Sequence, residues 1–195
     1  MAKQILLAGF LGGLALFLWG GLAHTVLGLG RVGVQNLQQP QPVMAALKMS
    51  DAQSGFYLFP QADASGKVAP ENVGGPYGMM IYRTTGAGGS MTGQLVNEFI
   101  LDIVLALFAA YLLSLASGLT GYLSRVGFVT LLGVTVGLML NVEYWNWYRF
   151  PLSYTIASIA IVVVGFLFVG LMAAAIVNSP AQRIAVVPVK SGIKI

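Results

Sequence analysis

The chain has 195 residues, 57% of them hydrophobic and only 8% charged, with a net charge of +4. A soluble domain carries about 25% charged residues, so a soluble globular protein is excluded and an integral membrane protein follows. With no Cys and a single His, His24, the chain has no disulfide, thiolate nucleophile, zinc-thiolate site or iron–sulfur cluster, and one copy cannot build a bis-histidine haem.

The first apolar run, residues 5–29, follows Lys3 and exceeds the ~20 residues that cross a bilayer. Gly21-Leu22-Ala23 offers a small-x-small cleavage site. The run is nevertheless longer than the ~7–15 apolar residues of a signal peptide, so an uncleaved anchor is expected. Residues 31–92 change character, with Gly, Pro, Gln and Ser dominating, and read as an extramembrane insert. Within it, residues 42–50 form a short helix with Pro42 in its first turn. Gly55-Phe-Tyr-Leu-Phe-Pro60 and Tyr77-Gly-Met-Met-Ile-Tyr82 form two short strands around a Gly/Pro-rich loop. The glycine-rich residues 84–93 return the chain to the membrane.

Three further spans follow, at about residues 94–116, 122–140 and 152–177. The link Ser117-Gly-Leu-Thr-Gly121 is short, which predicts that the second and third spans are antiparallel neighbours. Residues 141–151 join the third span to the fourth and contain Tyr144, Trp145, Trp147 and Tyr148. Such rings favour the headgroup layer, so this segment reads as an interfacial loop anchored by Trp145, Trp147 and Tyr148. The expected fold is an all-α transmembrane four-helix bundle with a small extramembrane α+β insert between helices 1 and 2. Its segments are 1–30, 31–92, 93–177 and a tail at 178–195. Lys and Arg near the span ends set orientation: Lys3, Arg125, Arg183, Lys190 and Lys194 fall on one side, free of acids, so both termini are expected in the cytoplasm.

Gln94, Glu98 and Asp102 form a stripe at four-residue spacing, which places them on one helix face. Carboxylates inside a membrane are costly and face a partner, a cavity or another subunit. The orientation places Glu98 and Asp102 towards the outer leaflet, level with His24, Arg83 and Arg149. A polar cluster of His24, Glu98, Asp102 and Arg149 is expected there, with an internal salt bridge or hydrogen bond fixing the packing. A contact to a partner subunit and a proton or cation site are the alternatives. His24 as a haem or chlorophyll ligand is a further alternative, but without a second axial ligand no cofactor and no metal are expected. Gly9 and Gly13, and Gly133 and Gly137, make two GxxxG pairs of the kind that lets membrane helices approach closely, within the chain or between copies. Gly165 and Gly170 show no such spacing.

No P-loop, nucleotide fingerprint, HExxH or GxSxG occurs in the chain. It is not expected to be an enzyme, and its scattered basic residues predict no nucleic-acid partner. The partners left are the lipid bilayer, other membrane subunits and further copies of the chain. Trp19-Gly20 with His24, Gly55-Phe-Tyr-Leu-Phe-Pro60, Gly75-Pro-Tyr-Gly78, Arg125-Val-Gly-Phe128 and Tyr144-Trp-Asn-Trp-Tyr-Arg-Phe-Pro151 also carry a likeness. Through them, over nearly its whole length, the chain resembles a group of uncharacterised bacterial inner-membrane proteins with one anchor helix, an extracytoplasmic insert and three further helices. The resemblance implies a bacterial inner-membrane source and the same four-helix layout, and no activity. The function expected is that of an accessory or structural subunit of a larger membrane complex, with a small oligomeric transporter or proton conductor using Glu98 and Asp102 as the alternative.

Overall fold

The computed structural model describes residues 1–85 and 90–178. Residues 86–89 of the glycine-rich return and 179–195 of the tail lie outside the described residues. Four helices are long and apolar enough to cross a membrane, and the chain is a multi-pass membrane protein. Helix α1 (Ala2–Gly21) runs into a π-helical turn (Leu22–Val26), and a short helix α2 (Pro40–Met49) follows in the insert. Strands β1 (Gly55–Phe59) and β2 (Gly78–Tyr82) come next, then α3 (Thr92–Leu115), α4 (Tyr122–Tyr148) and α5 (Leu152–Ile176). Pro40 and Pro42 occupy the first turn of α2, where the missing N–H has no intrahelical partner in any case.

The two strands form an antiparallel pair, with Phe56 opposite Ile81 and Leu58 opposite Met79. Opposed residues share a face, so Phe56, Leu58, Met79 and Ile81 make one apolar side of the hairpin. Tyr57, Phe59, Met80 and Tyr82 make the other, so neither face is polar. In the loop between the strands, Asp63 closes a tight turn by accepting hydrogen bonds from the hydroxyl and N–H of Ser65 and from the N–H of Lys67. These bonds hold its carboxyl below the usual carboxylate range.

Helix packing departs from the expectation drawn from loop length. The second and third spans, α3 and α4, run antiparallel but meet only sparingly; α3 lies along α1, α4 along α5, and α1 and α5 form the central pair. The reason is where backbones can approach. A Cβ on Gly13 would stand 2.6 Å from Cα of Ile103, and one on Gly9 would overlap the Leu107 side chain. Gly12 sits where three helices meet, with Ala106 of α3 and Val169 of α5 each 3.3 Å from an added Cβ. On the other side, the Phe166 side chain fills the notch at Gly133, and Ile159 passes Gly137 at 3.6 Å. Both GxxxG pairs therefore pack within the chain. Gly165 and Gly170, which show no pattern in the sequence, serve the same purpose: the Leu16 side chain occupies the first notch, and the Val126 carbonyl lies 3.0 Å from a Cβ at the second. Ala8, Ala106, Ala110, Leu113, Val129, Phe166, Val169 and Ala173 fill the core between these contacts.

A second correction concerns the aromatic segment. The expected loop at 141–151 is largely helix, because α4 continues to Tyr148. At 1.5 Å per residue its 27 residues span about 40 Å, longer than the ~30 Å hydrocarbon layer. The last two turns carry Tyr144, Trp145, Trp147 and Tyr148 beyond the apolar stretch, and Arg149, at φ 58°, ends the helix.

The α1–α3 seam predicts an asymmetry between glycines of one helix. Gly13→Ala is expected to lower stability by about 1–3 kcal/mol through overpacking. Gly20→Ala, where nothing lies within 4 Å of the added Cβ, is expected to cost nothing. Unfolding in detergent followed by circular dichroism reads the difference; equal losses at the two positions would count against the seam.

Candidate functional site

Three contacts set the register between α1 and α3. Gly9 faces Leu107 and Gly13 faces Ile103, and the rings of Phe17 and Phe99 meet edge to face at 5.3 Å. Each step along α1 towards the insert is thus a step back along α3. Asp102 falls level with Leu14, the middle residue of the 25-residue span Ala2–Val26, and Glu98 falls one turn nearer the insert, level with Leu18. Asp102 is also close to the middle of the 24 residues of α3, so the acids sit deeper than the outer-leaflet position expected from the sequence.

Asp102 is 6% exposed. It begins the buried stripe of α3 that continues at four-residue spacing through Ala106, Ala110 and Ser114. One turn below it lies the Gly12–Ala106–Val169 junction. Glu98, one turn nearer the insert on the same face, is exposed, because the bundle that buries Asp102 does not cover the start of α3, where residues 91–98 are all exposed. His24 lies in the π-helical turn, ten residues and about 15 Å along α1 from the level of Asp102. It is exposed, and its ring rests on Gly30, where a Cβ would overlap Nδ1. Arg149 is exposed at the end of α4. Leu16 packs at Gly165 and Gly12 against Val169, so Leu167 of α5 is level with Asp102. Arg149 precedes the start of α5 by three residues, which separates it from Asp102 by about 20 Å along the bundle. Arg83 is exposed in the insert, after β2. No hydrogen bond or ion pair among the described residues joins His24, Glu98, Asp102 and Arg149. Among the described residues no group of three or more His, Cys, Asp or Glu is placed to hold a metal ion.

Two further polar contacts tie the bundle together, one part-buried and one buried. The Trp19 indole N–H donates to the Ile161 carbonyl of α5 at 2.8 Å, and its ring leans on Phe168. At the opposite end of the bundle Arg125, read from sequence as a topogenic surface charge, is 2% exposed. Its Nη2 donates to the carbonyl of Val177, the residue that caps α5. A guanidinium there satisfies an orphan carbonyl and complements the negative end of the helix dipole. The sequence does hold a signal for this burial. Arg125, Val129, Gly133, Gly137 and Asn141 follow one another at four-residue spacing, and all are buried.

At the insert end, the aromatic turns of α4 meet the hairpin. Phe56 contacts Tyr148 edge to face at 6.3 Å between centroids, and Tyr144, Phe150 and Tyr154 continue the stack onto α5. Between the hairpin, its loop and the end of α4 lies an open groove of about 660 Å³, lined by both strands, Val68, residues 72–75, Tyr77, Trp147 and Tyr148.

Compared with protein-family models, curated proteins and solved structures, the chain matches none. Its function is therefore read from the geometry of two places, the acids of α3 and the aromatic end of α4.

Arg125 generates a prediction for the end opposite the insert. Arg125→Ala removes a charge-assisted hydrogen bond and leaves a cavity, and is expected to destabilise the bundle by roughly 2–4 kcal/mol. Arg149→Ala, at an exposed position, is expected to change stability by less than about 1 kcal/mol. Thermal unfolding of the two variants in the same detergent checks the contrast.

Proposed function

We propose that the protein is a non-enzymatic accessory subunit of a larger membrane complex, held in a bacterial inner membrane with both termini cytoplasmic and the insert on the outer face. The observation that carries this reading is Glu98. The residue is exposed inside a helix long and apolar enough to cross a membrane, level with a residue only four positions from the middle of the span Ala2–Val26, and no cation among the described residues pairs with it. A carboxylate facing hydrocarbon is unfavourable by several kcal/mol, and a basic or hydrogen-bond-donating group on a neighbouring transmembrane helix removes that cost. Gln94, one turn nearer the insert on the same stripe and also exposed, extends the polar edge that such a helix would meet. The partner is another membrane subunit or a second copy of this chain.

In mild detergent the chain is therefore expected to purify in a particle larger than its own 20.6 kDa plus detergent. Glu98→Leu is expected to shed the partner while leaving the bundle folded. A strictly monomeric wild-type chain with nothing co-purifying counts against this role.

Asp102 favours a second reading, as the proton-carrying group of a small homo-oligomeric conductor. It is buried at mid-depth with no hydrogen-bond or ion-pair partner among the described residues, and intramembrane carboxyls of this kind serve proton relays. Asp102→Asn is then expected to abolish proton flux into proteoliposomes. Flux that survives the substitution, or no flux from the wild-type protein, would sink this alternative.

A further inference from the structure

The groove between the hairpin and the end of α4 has a chemistry of its own. Its volume, about 660 Å³, falls within the ~300–1,000 Å³ of small-molecule sites. No charged side chain lines it: its walls are Leu58, Phe59, Val68, Val73, Met79 and Trp147, with glycine backbone between them and Asn72 and two tyrosines as the polar groups. Its hydrogen-bonding groups are the Asn72 amide, two phenols and glycine backbone, so a charged ligand finds no counter-charge there. Val73 and Trp147 are 71% and 76% exposed, so the mouth of the groove is as apolar as its walls.

Its position indicates what covers it. The wall formed by Trp147 and Tyr148 is the last turn of a membrane-spanning helix, where Trp and Tyr mark the headgroup layer. On the hairpin, Phe56, Leu58 and Ile81 share one face, and all three are exposed, Ile81 at 74%. Phe56 touches Tyr148, and Tyr148 also lines the groove, so the aromatic end of the span adjoins both the hairpin and the groove. Exposed apolar side chains grouped in this way mark a protein or membrane contact, and these adjoin the end of a membrane-spanning helix. We infer that the insert lies in the headgroup–acyl boundary of the leaflet on its side, and that the groove takes the acyl chain of a membrane lipid bent out of the bilayer plane.

The chain has no Cys and only three Trp, but the most direct probe is the lipid. The full chain is reconstituted in vesicles of phosphatidylethanolamine and phosphatidylglycerol doped with a phospholipid that carries a diazirine at the end of one acyl chain. After irradiation, adducts are mapped by mass spectrometry. A chain lying normally in its leaflet ends near the bilayer centre, about 15 Å below the interface, and labels only span residues such as Leu131. A chain drawn into the groove also labels Leu58, Val73 or Met79. Val73→Glu places a charge among the apolar walls and is expected to reduce the insert adducts about tenfold relative to those at Leu131. Val73→Leu is expected to keep them, which separates loss of binding from loss of fold. Adducts confined to the spans of the wild-type protein would overturn the inference. That is also the result expected if the groove's occupant is an apolar peptide, because these vesicles contain none. Insert adducts of equal yield in Val73→Glu would overturn it as well.

Discussion

The close approach of backbones at Gly9, Gly12 and Gly13 governs the architecture of the whole bundle. Between helices in lipid there is little hydrophobic driving force, because the tails are as apolar as the side chains. What remains is dispersion contact, and that requires surfaces to meet without gaps. The three glycines let α3 and α5 both lie directly on α1, which makes α1 central and sends α4 to the far side of α5. The short link between α3 and α4 constrains their ends and their antiparallel sense, but not their contact. Where glycine notches compete with loop proximity, the notches decide which helices pair.

The same seam sets the depth of the acids. Once Gly13 is against Ile103, Asp102 is at mid-span and Glu98 one turn above, with His24 and Arg149 well removed at the insert end. A carboxyl at the boundary of the membrane is easily satisfied by water or a nearby cation. At mid-depth, with its stripe otherwise made of Ala and Ser, Asp102 is not. The polar residues are thus sorted along the bundle: the acids of α3 in its middle, Arg125 buried at one end against the last carbonyls of α5, and the aromatic stack with Arg149 at the other. Arg125 and Arg149 look alike in the sequence, as single cations near span ends. In the structure one completes a helix terminus inside the core, and the other is a solvent-side cap.

The insert obeys a different rule. Two strands alone are marginal in water, and this hairpin is apolar on both faces. It meets the end of α4, a helix longer than the hydrocarbon layer is thick, through the ring contact of Phe56 with Tyr148. The aromatic residues that read as an interfacial loop are the last turns of a helix, and the hairpin touches them at Tyr148. A helix satisfies its own backbone hydrogen bonds, so it can carry these rings through the interface without relying on water.

The sequence by itself determined the membrane class, the four spans (to within a few residues except at the far end of the third), the insert between the first two, and both strands. These depend on local quantities: the length of an apolar run, short aromatic and aliphatic runs, and the placement of Pro and Gly that bounds them. It also held the acid stripe, and the four-residue rows Asp102–Ala106–Ala110–Ser114 and Arg125–Val129–Gly133–Gly137–Asn141, whose small members mark a buried face. Only the tertiary structure decided which helix each row faces, how deep Asp102 lies, that Arg125 is buried, and that Gly165 and Gly170 matter. Those depend on the register between helices far apart in sequence, and register comes from the mutual fit of notch and side chain, which belongs to two surfaces together and is written in neither alone.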